Sequence, residues 1–103
     1  MKAQKAGADV IVAQGSDAGG HGSANCASIV SLVPELVSAL PETPIVAAGG
    51  IADGRGTLAA LALGAQAVVI GTRFATATES AMADKAKDLI IHTFDGGIST
   101  RRY

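Results

Sequence analysis

The sequence predicts an α/β fold with parallel strands, and three observations carry the prediction. Short apolar runs recur at residues 10–13, 45–48 and 67–70, rich in Val, Ile and Ala and too compact for helices. Between and beyond them, apolar residues repeat at helical spacing. In addition, Gly7-Ala8-Asp9-Val10-Ile11-Val12 is echoed by Gly64-Ala65-Gln66-Ala67-Val68-Val69. Each copy is a helix-ending glycine, a two-residue turn and a strand. Three strand-then-helix units in succession imply neighbouring parallel strands joined by right-handed crossovers.

Residues 2–6 read as the end of a helix closed by Gly7 at its C′ position. The first strand is expected over residues 9–13, buried on both faces because its apolar run is unbroken. It leads into Gln14-Gly15-Ser16-Asp17-Ala18-Gly19-Gly20-His21-Gly22, where four glycines and one imidazole share a turn. Glycine takes positive φ and lets backbone N–H groups approach a ligand with no Cβ in the way. Ile29, Val33, Leu36, Val37 and Leu40 then mark a helix, with Pro34 expected in its first turn. Pro41 and Pro44 end it. The second strand, residues 45–48, runs into Gly49-Gly50. Asp53 offers an N-cap, and Leu58, Leu61 and Ala62 form the apolar face of a helix that stops at Gly64. The third strand, residues 67–70, ends at Gly71-Thr72. Thr76 and Glu79 have capping-box spacing for the last helix. In that helix Met82, Ala86, Leu89 and Ile90 are expected to face the core, with Asp84, Lys85, Lys87 and Asp88 in water. Residues 94–103 read as loop.

Composition narrows the function classes. A net charge of −1 over 103 residues gives no electrostatic footprint for nucleic acid or an anionic membrane. The apolar runs fall far short of the roughly 20 residues of a membrane span. No basic segment followed by an apolar one opens the chain, so no secretory signal is read and a cytoplasmic location is expected. Cys26 is the single cysteine. It excludes a disulfide within the chain and suits a reducing compartment, as a small, partly buried apolar residue. No His, Cys, Asp or Glu cluster has metal-ligand spacing, so no metal is expected.

Two architectures fit these units, a doubly wound sheet and a (β/α)₈ barrel. Both bind ligands at the carboxyl ends of the strands, where the glycine clusters fall. No G-x-G-x-x-G fingerprint opens a helix directly after its strand, which argues against a dinucleotide site. Glycines after two successive strands, at Gly49-Gly50 and Gly71-Thr72, suit a gripped phosphate. Backbone N–H groups and the Thr72 hydroxyl would be its donors. His21 carries an imidazole, the side chain whose ordinary range suits proton transfer at neutral pH. Asp17 either orients His21 or caps the turn, and capping is the simpler reading. Arg73 reaches a phosphate or turns outward; both stay open. His92 reads as a solvated histidine favoured by a helix C-terminus.

Four segments in order carry a family resemblance. They are Val12-Ala13-Gln14-Gly15-Ser16-Asp17-Ala18-Gly19-Gly20-His21-Gly22, Leu32-Val33-Pro34-Glu35, Ala47-Ala48-Gly49-Gly50-Ile51-Ala52-Asp53-Gly54-Arg55-Gly56, and Gly71-Thr72-Arg73-Phe74. Asp95-Gly96-Gly97 follows them. Together they resemble nitronate monooxygenase, also called 2-nitropropane dioxygenase, an FMN-dependent TIM-barrel family. The resemblance implies that His21 is the catalytic histidine, which takes the α-proton of a nitroalkane. It implies that Gln14 and Gly19 line the flavin. It places Gly49, Gly50, Val69, Ile70, Gly71 and Thr72 at the FMN phosphate and ribityl chain. The implied reaction is oxidation of an alkyl nitronate with FMN and O₂ to a carbonyl compound and nitrite.

A (β/α)₈ barrel takes about 250 residues, and only about three β/α units are present here. The expectation is therefore a partial TIM barrel, with residues 1–103 the C-terminal portion of an FMN-binding domain. Its activity would need the preceding part of the barrel. Association with that part or with a second copy would cover its terminal strands. Two alternatives accompany this reading. One is a related FMN-dependent enoyl-acyl-carrier-protein reductase. The other is an inactive half-barrel that serves as an association module.

Overall fold

Three strands, β1 (Ile11–Gln14), β2 (Ile45–Ala48) and β3 (Ala67–Val69), form one parallel sheet in chain order. They belong to a computed structural model that describes residues 2–20 and 26–94. The helices are α1 (Lys2–Lys5), α2 (Ile29–Ala39), α3 (Gly54–Ala62), α4 (Thr72–Ala75) and α5 (Asp84–Ile91). The chain divides into two units, residues 1–72 and 73–103.

In the first unit the sheet has one covered face and one open face. Ile11 pairs with Ile45, Ala13 with Ala47, and Ala47 with Val68. These residues share a face and pack with Val33, Leu36 and Leu40 of the α2 segment, and with Ile51 and Ala60 of the α3 segment. Both longer helices therefore lie on one side of the sheet. That is the arrangement of a (β/α)₈ segment and not of a doubly wound sheet, which carries helices on both faces.

The opposite face carries Val12, Gln14, Val46, Ala48, Ala67 and Val69. Val12 is 54% exposed and Val69 47%. The expected burial of β1 on both faces is thus corrected: on this second face Val12, Gln14 and Val69 are exposed, and of the six residues only Ala48 is buried. The strand also begins two residues later than expected and includes Gln14, because Ile11 is where the backbone joins the sheet, donating to the Pro44 carbonyl at 3.0 Å.

Local chemistry explains the element ends. Gly7 (φ +90°) and Gly64 (φ +103°) close helical segments in the same way. In each case the next residue's N–H reaches five residues back, Ala8 to Ala3 (3.2 Å) and Ala65 to Ala60 (3.1 Å). The glycine itself donates three residues back, to Gln4 and to Leu61. This is the Schellman pattern, and it confirms the sequence echo at the level of hydrogen bonds. Asp53 caps α3 as expected, accepting from the Arg55 and Gly56 N–H groups.

Other helix expectations are corrected. Helix α2 starts at Ile29, so Pro34 lies in its second turn, where it removes the donor that would reach the Val30 carbonyl. Helix α3 does not bury Leu58, Leu61 and Ala62; Leu58 is 69% exposed, and Ala60 is the fully buried residue. A Cβ on Gly56 would meet Ile51 Cγ2 at 3.3 Å, so this helix approaches the core through its small residues.

In the second unit, α5 begins at Asp84, capped by the Ala83 backbone rather than by Thr76 and Glu79. The Thr76 hydroxyl instead donates to the Arg73 carbonyl at 2.9 Å. Met82, Ala86 and Ile90 are partly buried, but Leu89 is 71% exposed. Lys87 is partly buried rather than solvated, its ammonium donating to the Ser80 carbonyl at 2.8 Å. No helix among the described residues is long and apolar enough to cross a membrane.

Candidate functional site

The carboxyl ends of the three strands bring their loops together. At β1, the Gly15 N–H donates to the Ala48 carbonyl of β2 at 2.8 Å, extending the ladder one residue past the strand. Ser16 N–H reaches the Ala27 carbonyl at 3.0 Å, and Ala18 N–H closes a turn onto the Gly15 carbonyl at 3.1 Å. The Cys26 thiol donates to the Gln14 carbonyl at 2.9 Å. A Cβ at position 15 would lie 2.7 Å from Ile29 Cγ2 and 2.8 Å from the Ile29 nitrogen. Only glycine lets the strand end pass so close to the start of α2.

At β2 the chain turns through Gly49 (φ +112°) and Gly50 (φ +68°), both in the left-handed region that glycine favours. Their Cβ directions are filled by the β1 loop. A Cβ at 49 would meet the Ala18 nitrogen at 2.9 Å, and one at 50 would meet Asp17 Cβ at 3.1 Å. Ile51, 6% exposed, then anchors the chain in the core before Asp53 starts α3. At β3, Gly71 has no neighbour within 4 Å of where its Cβ would be, and a Cβ on Gly19 would meet the Thr72 hydroxyl oxygen at 3.8 Å. Loops one and two are therefore in direct packing contact, and loop one also reaches the end of β3.

Of the residues expected at the site, Gln14 and Val69 lie on the open face, in one register row with Ala48 between them. Ile70 packs against the core, which leaves its backbone rather than its side chain to a ligand. Gly19, Gly49, Gly50, Gly71 and Thr72 are gathered at the carboxyl ends as described. His21 lies outside the described residues. What sequence reasoning missed is the seating of Ala18 and Asp17 on the two glycines. A Gly-Gly pair after a strand signals a close approach, but nothing in it names the partner.

The electrostatics of the loops centre on Asp53. Its carboxylate pairs with Arg55 at 2.6 Å. The Arg55 side-chain hydrogen bond, followed by the backbone N–H of Gly56, holds the Asp53 pKa below its ordinary value. The same pairing raises Arg55. Both groups are solvent-exposed and belong to the α3 cap rather than to the converging loops. His92 caps α5, its Nδ1 2.8 Å from the Asp88 carbonyl.

These groups are of the kind that hold a phosphate. The carboxyl end offers backbone N–H groups, the Thr72 hydroxyl, and open space beside Gly71 and Gly20, where a Cβ would find no atom within 4 Å. Among the described residues no group of three or more His, Cys, Asp or Glu side chains is placed to hold a metal ion.

Residues 1–100 match the family model for nitronate monooxygenase. A nitronate monooxygenase of Neurospora crassa is 52% identical over 96% of this chain. The chain spans 28% of that relative's length. Among solved structures, FabK from Thermotoga maritima superposes with a TM-score of 0.81 at 42% identity, over 89% of this chain and 29% of its own. A nitroalkane oxidase from Streptomyces ansochromogenes superposes with a TM-score of 0.78 at 36% identity, over 84% of this chain and 27% of its own.

Proposed function

The chain belongs to the nitronate monooxygenase family, and on that premise we propose that it takes part in FMN-dependent oxidation of alkyl nitronates with O₂, giving a carbonyl compound and nitrite. The observation that carries the reading is the gathering of three strand-end loops, with Gly49 on Ala18, Gly50 on Asp17 and Gly19 beside Thr72. In this reading residues 1–103 are the C-terminal portion of an FMN-binding barrel domain. The open sheet face lies inside that barrel, closed by strands from outside this segment or by a second copy. The free Cys26 thiol suits a reducing, cytoplasmic compartment.

Each residue has a role in the proposal. The N–H groups around Gly49-Gly50 and Gly71-Thr72, with the Thr72 hydroxyl, hold the FMN phosphate. Gln14 and Val69 line the open face toward the flavin, and Gly19 lets the loop pass close to it. His21 takes the α-proton of a neutral nitroalkane, for which a near-neutral imidazole is suited. The electron and oxygen chemistry is what FMN supplies when bound. The test is to purify the full-length protein, record its flavin spectrum, and follow O₂ uptake and nitrite release with a preformed nitronate. Yellow protein that releases nitrite is expected; a flavin-free protein, or one that releases no nitrite, overturns the reading.

The FabK chain is more similar to this one than the nitroalkane oxidase is. The second reading is the related FMN-dependent enoyl-acyl-carrier-protein reductase. Rapid bleaching of the flavin by NAD(P)H, with no response to nitronate, would select it.

A further inference from the structure

We propose that Asp17 is a cofactor-binding residue whose carboxylate accepts hydrogen bonds from the ribityl hydroxyls of FMN, so that it recognises the polyol chain and not the phosphate. The proposal rests on the FMN reading above. The observation behind it is the seat of Asp17 against the β2 loop. From the point where a Cβ on Gly50 would stand, Asp17 Cβ is 3.1 Å away, Oδ2 3.7 Å and Cγ 3.8 Å. Gly50 takes φ +68°, which demands glycine whatever stands nearby. The contact therefore carries no message about the need for glycine. It does locate the carboxylate, at the carboxyl end of the sheet and beside one of the two glycine clusters assigned to the phosphate.

A carboxylate in that place has few roles open to it. Ionised, it only accepts hydrogen bonds. A phosphate also accepts and carries like charge, so the two repel at short range. Asp17 is exposed, and the ion pair among the described residues joins Asp53 to Arg55 and leaves Asp17 out. Its own turn is closed by backbone, the Ala18 N–H going to the Gly15 carbonyl at 3.1 Å. The partner that suits an acceptor beside a phosphate site is the hydroxyl-bearing chain to which the phosphate is attached. Carboxylates recognise the ribose hydroxyls of dinucleotides on the same chemical ground. The β3 end differs in kind. No atom lies within 4 Å of where a Cβ on Gly71 would be, and the Thr72 hydroxyl is there to donate. The phosphate has its room on that side of the cradle, and the ribityl chain passes on the Asp17 side.

The experiment titrates the full-length protein, freed of flavin, with FMN, riboflavin and lumiflavin, which lacks the ribityl chain, and follows flavin fluorescence. Asp17→Ala should weaken FMN and riboflavin by the same factor, roughly 10-fold or more, the size of a hydrogen bond to a charged group. Lumiflavin should be unaffected. Asp17→Asn keeps the shape and one acceptor oxygen, and should lose less. Thr72→Val removes a phosphate donor and gives the contrast: FMN should weaken while riboflavin is spared. Unchanged flavin affinities in Asp17→Ala overturn the proposal. So does tighter FMN with unchanged riboflavin, which makes Asp17 no more than a like charge beside the phosphate. An equal loss on lumiflavin also overturns it, by making Asp17 a prop of its loop. These three results sink the Asp17 assignment alone. A wild-type protein that takes up none of the three flavins would sink the FMN reading, and this proposal with it.

Discussion

Asp53 receives the Arg55 and Gly56 N–H groups on one carboxylate oxygen and the Arg55 guanidinium on the other. These bonds favour the charged form, so the folded pKa lies below the ordinary aspartate value of 3.8. The sign follows: the contribution to stability is fully present above 3.8 and is lost as pH falls through the lower folded value. Acid titration of the unfolding midpoint should therefore show a loss beginning near pH 4, and Asp53→Asn should be less stable at neutral pH with a flatter acid limb. At His21 the expected outcome is kinetic. His21→Ala should lose about 10²–10⁴-fold on neutral nitroalkane and much less on preformed nitronate, in steady-state oxygen uptake. The capping role of Asp53 and the placing of glycines at the strand ends were legible because each follows from a residue type in a fixed place. The contact of Ala18 with Gly49 was not legible, because it joins two loops whose approach is set by strand register and leaves no mark on composition.

Helix α3 shows where reading an element by its apolar residues fails. Leu58 and Leu61 suggest the buried face, yet the helix lies against Ile51 through Gly56 and Ala60. Close approach selects small residues, which a hydrophobic pattern undervalues. Ala60 is 0% exposed, so Ala60→Leu should destabilise the fold by about 1–3 kcal/mol through overpacking, measured by urea unfolding. In α2 the opposite change is informative. Pro34 sits where an N–H would normally close the second turn, and Pro34→Ala should stabilise the protein, by at most about 3 kcal/mol. The start of α5 escapes the sequence pattern for a comparable reason. Thr76 and Glu79 have capping-box spacing, but the Thr76 hydroxyl is engaged on the turn that follows α4.

At the scale of the molecule, the parallel order of the strands was readable in advance because three apolar runs each end in glycines. The coverage of the sheet was not, since an apolar run looks the same whether its second face meets helices or an interior. The order β1-β2-β3 places β2 between two partners, and β1 and β3 each have one partner among the described residues. In the proposed barrel the outer two strands gain further partners, so hydrogen exchange of the full-length protein should be about equally slow in all three strands. Exchange slow over Ile45–Ala48 but fast in β1 and β3 would show that the outer strands remain edges and would count against a closed barrel.

The joints leading into the strands alternate. Those before β1 and β3 turn on Gly7 and Gly64 with the same pair of hydrogen bonds, whereas the joint before β2 runs through Pro41 and Pro44. Among these three joints the first and third are thus of one kind and the second of another. A barrel interior is layered in the same rhythm, each layer drawing its side chains from alternate strands. A unit transplanted by two positions would meet familiar joints at both ends, while one moved by a single position would meet the wrong kind at each.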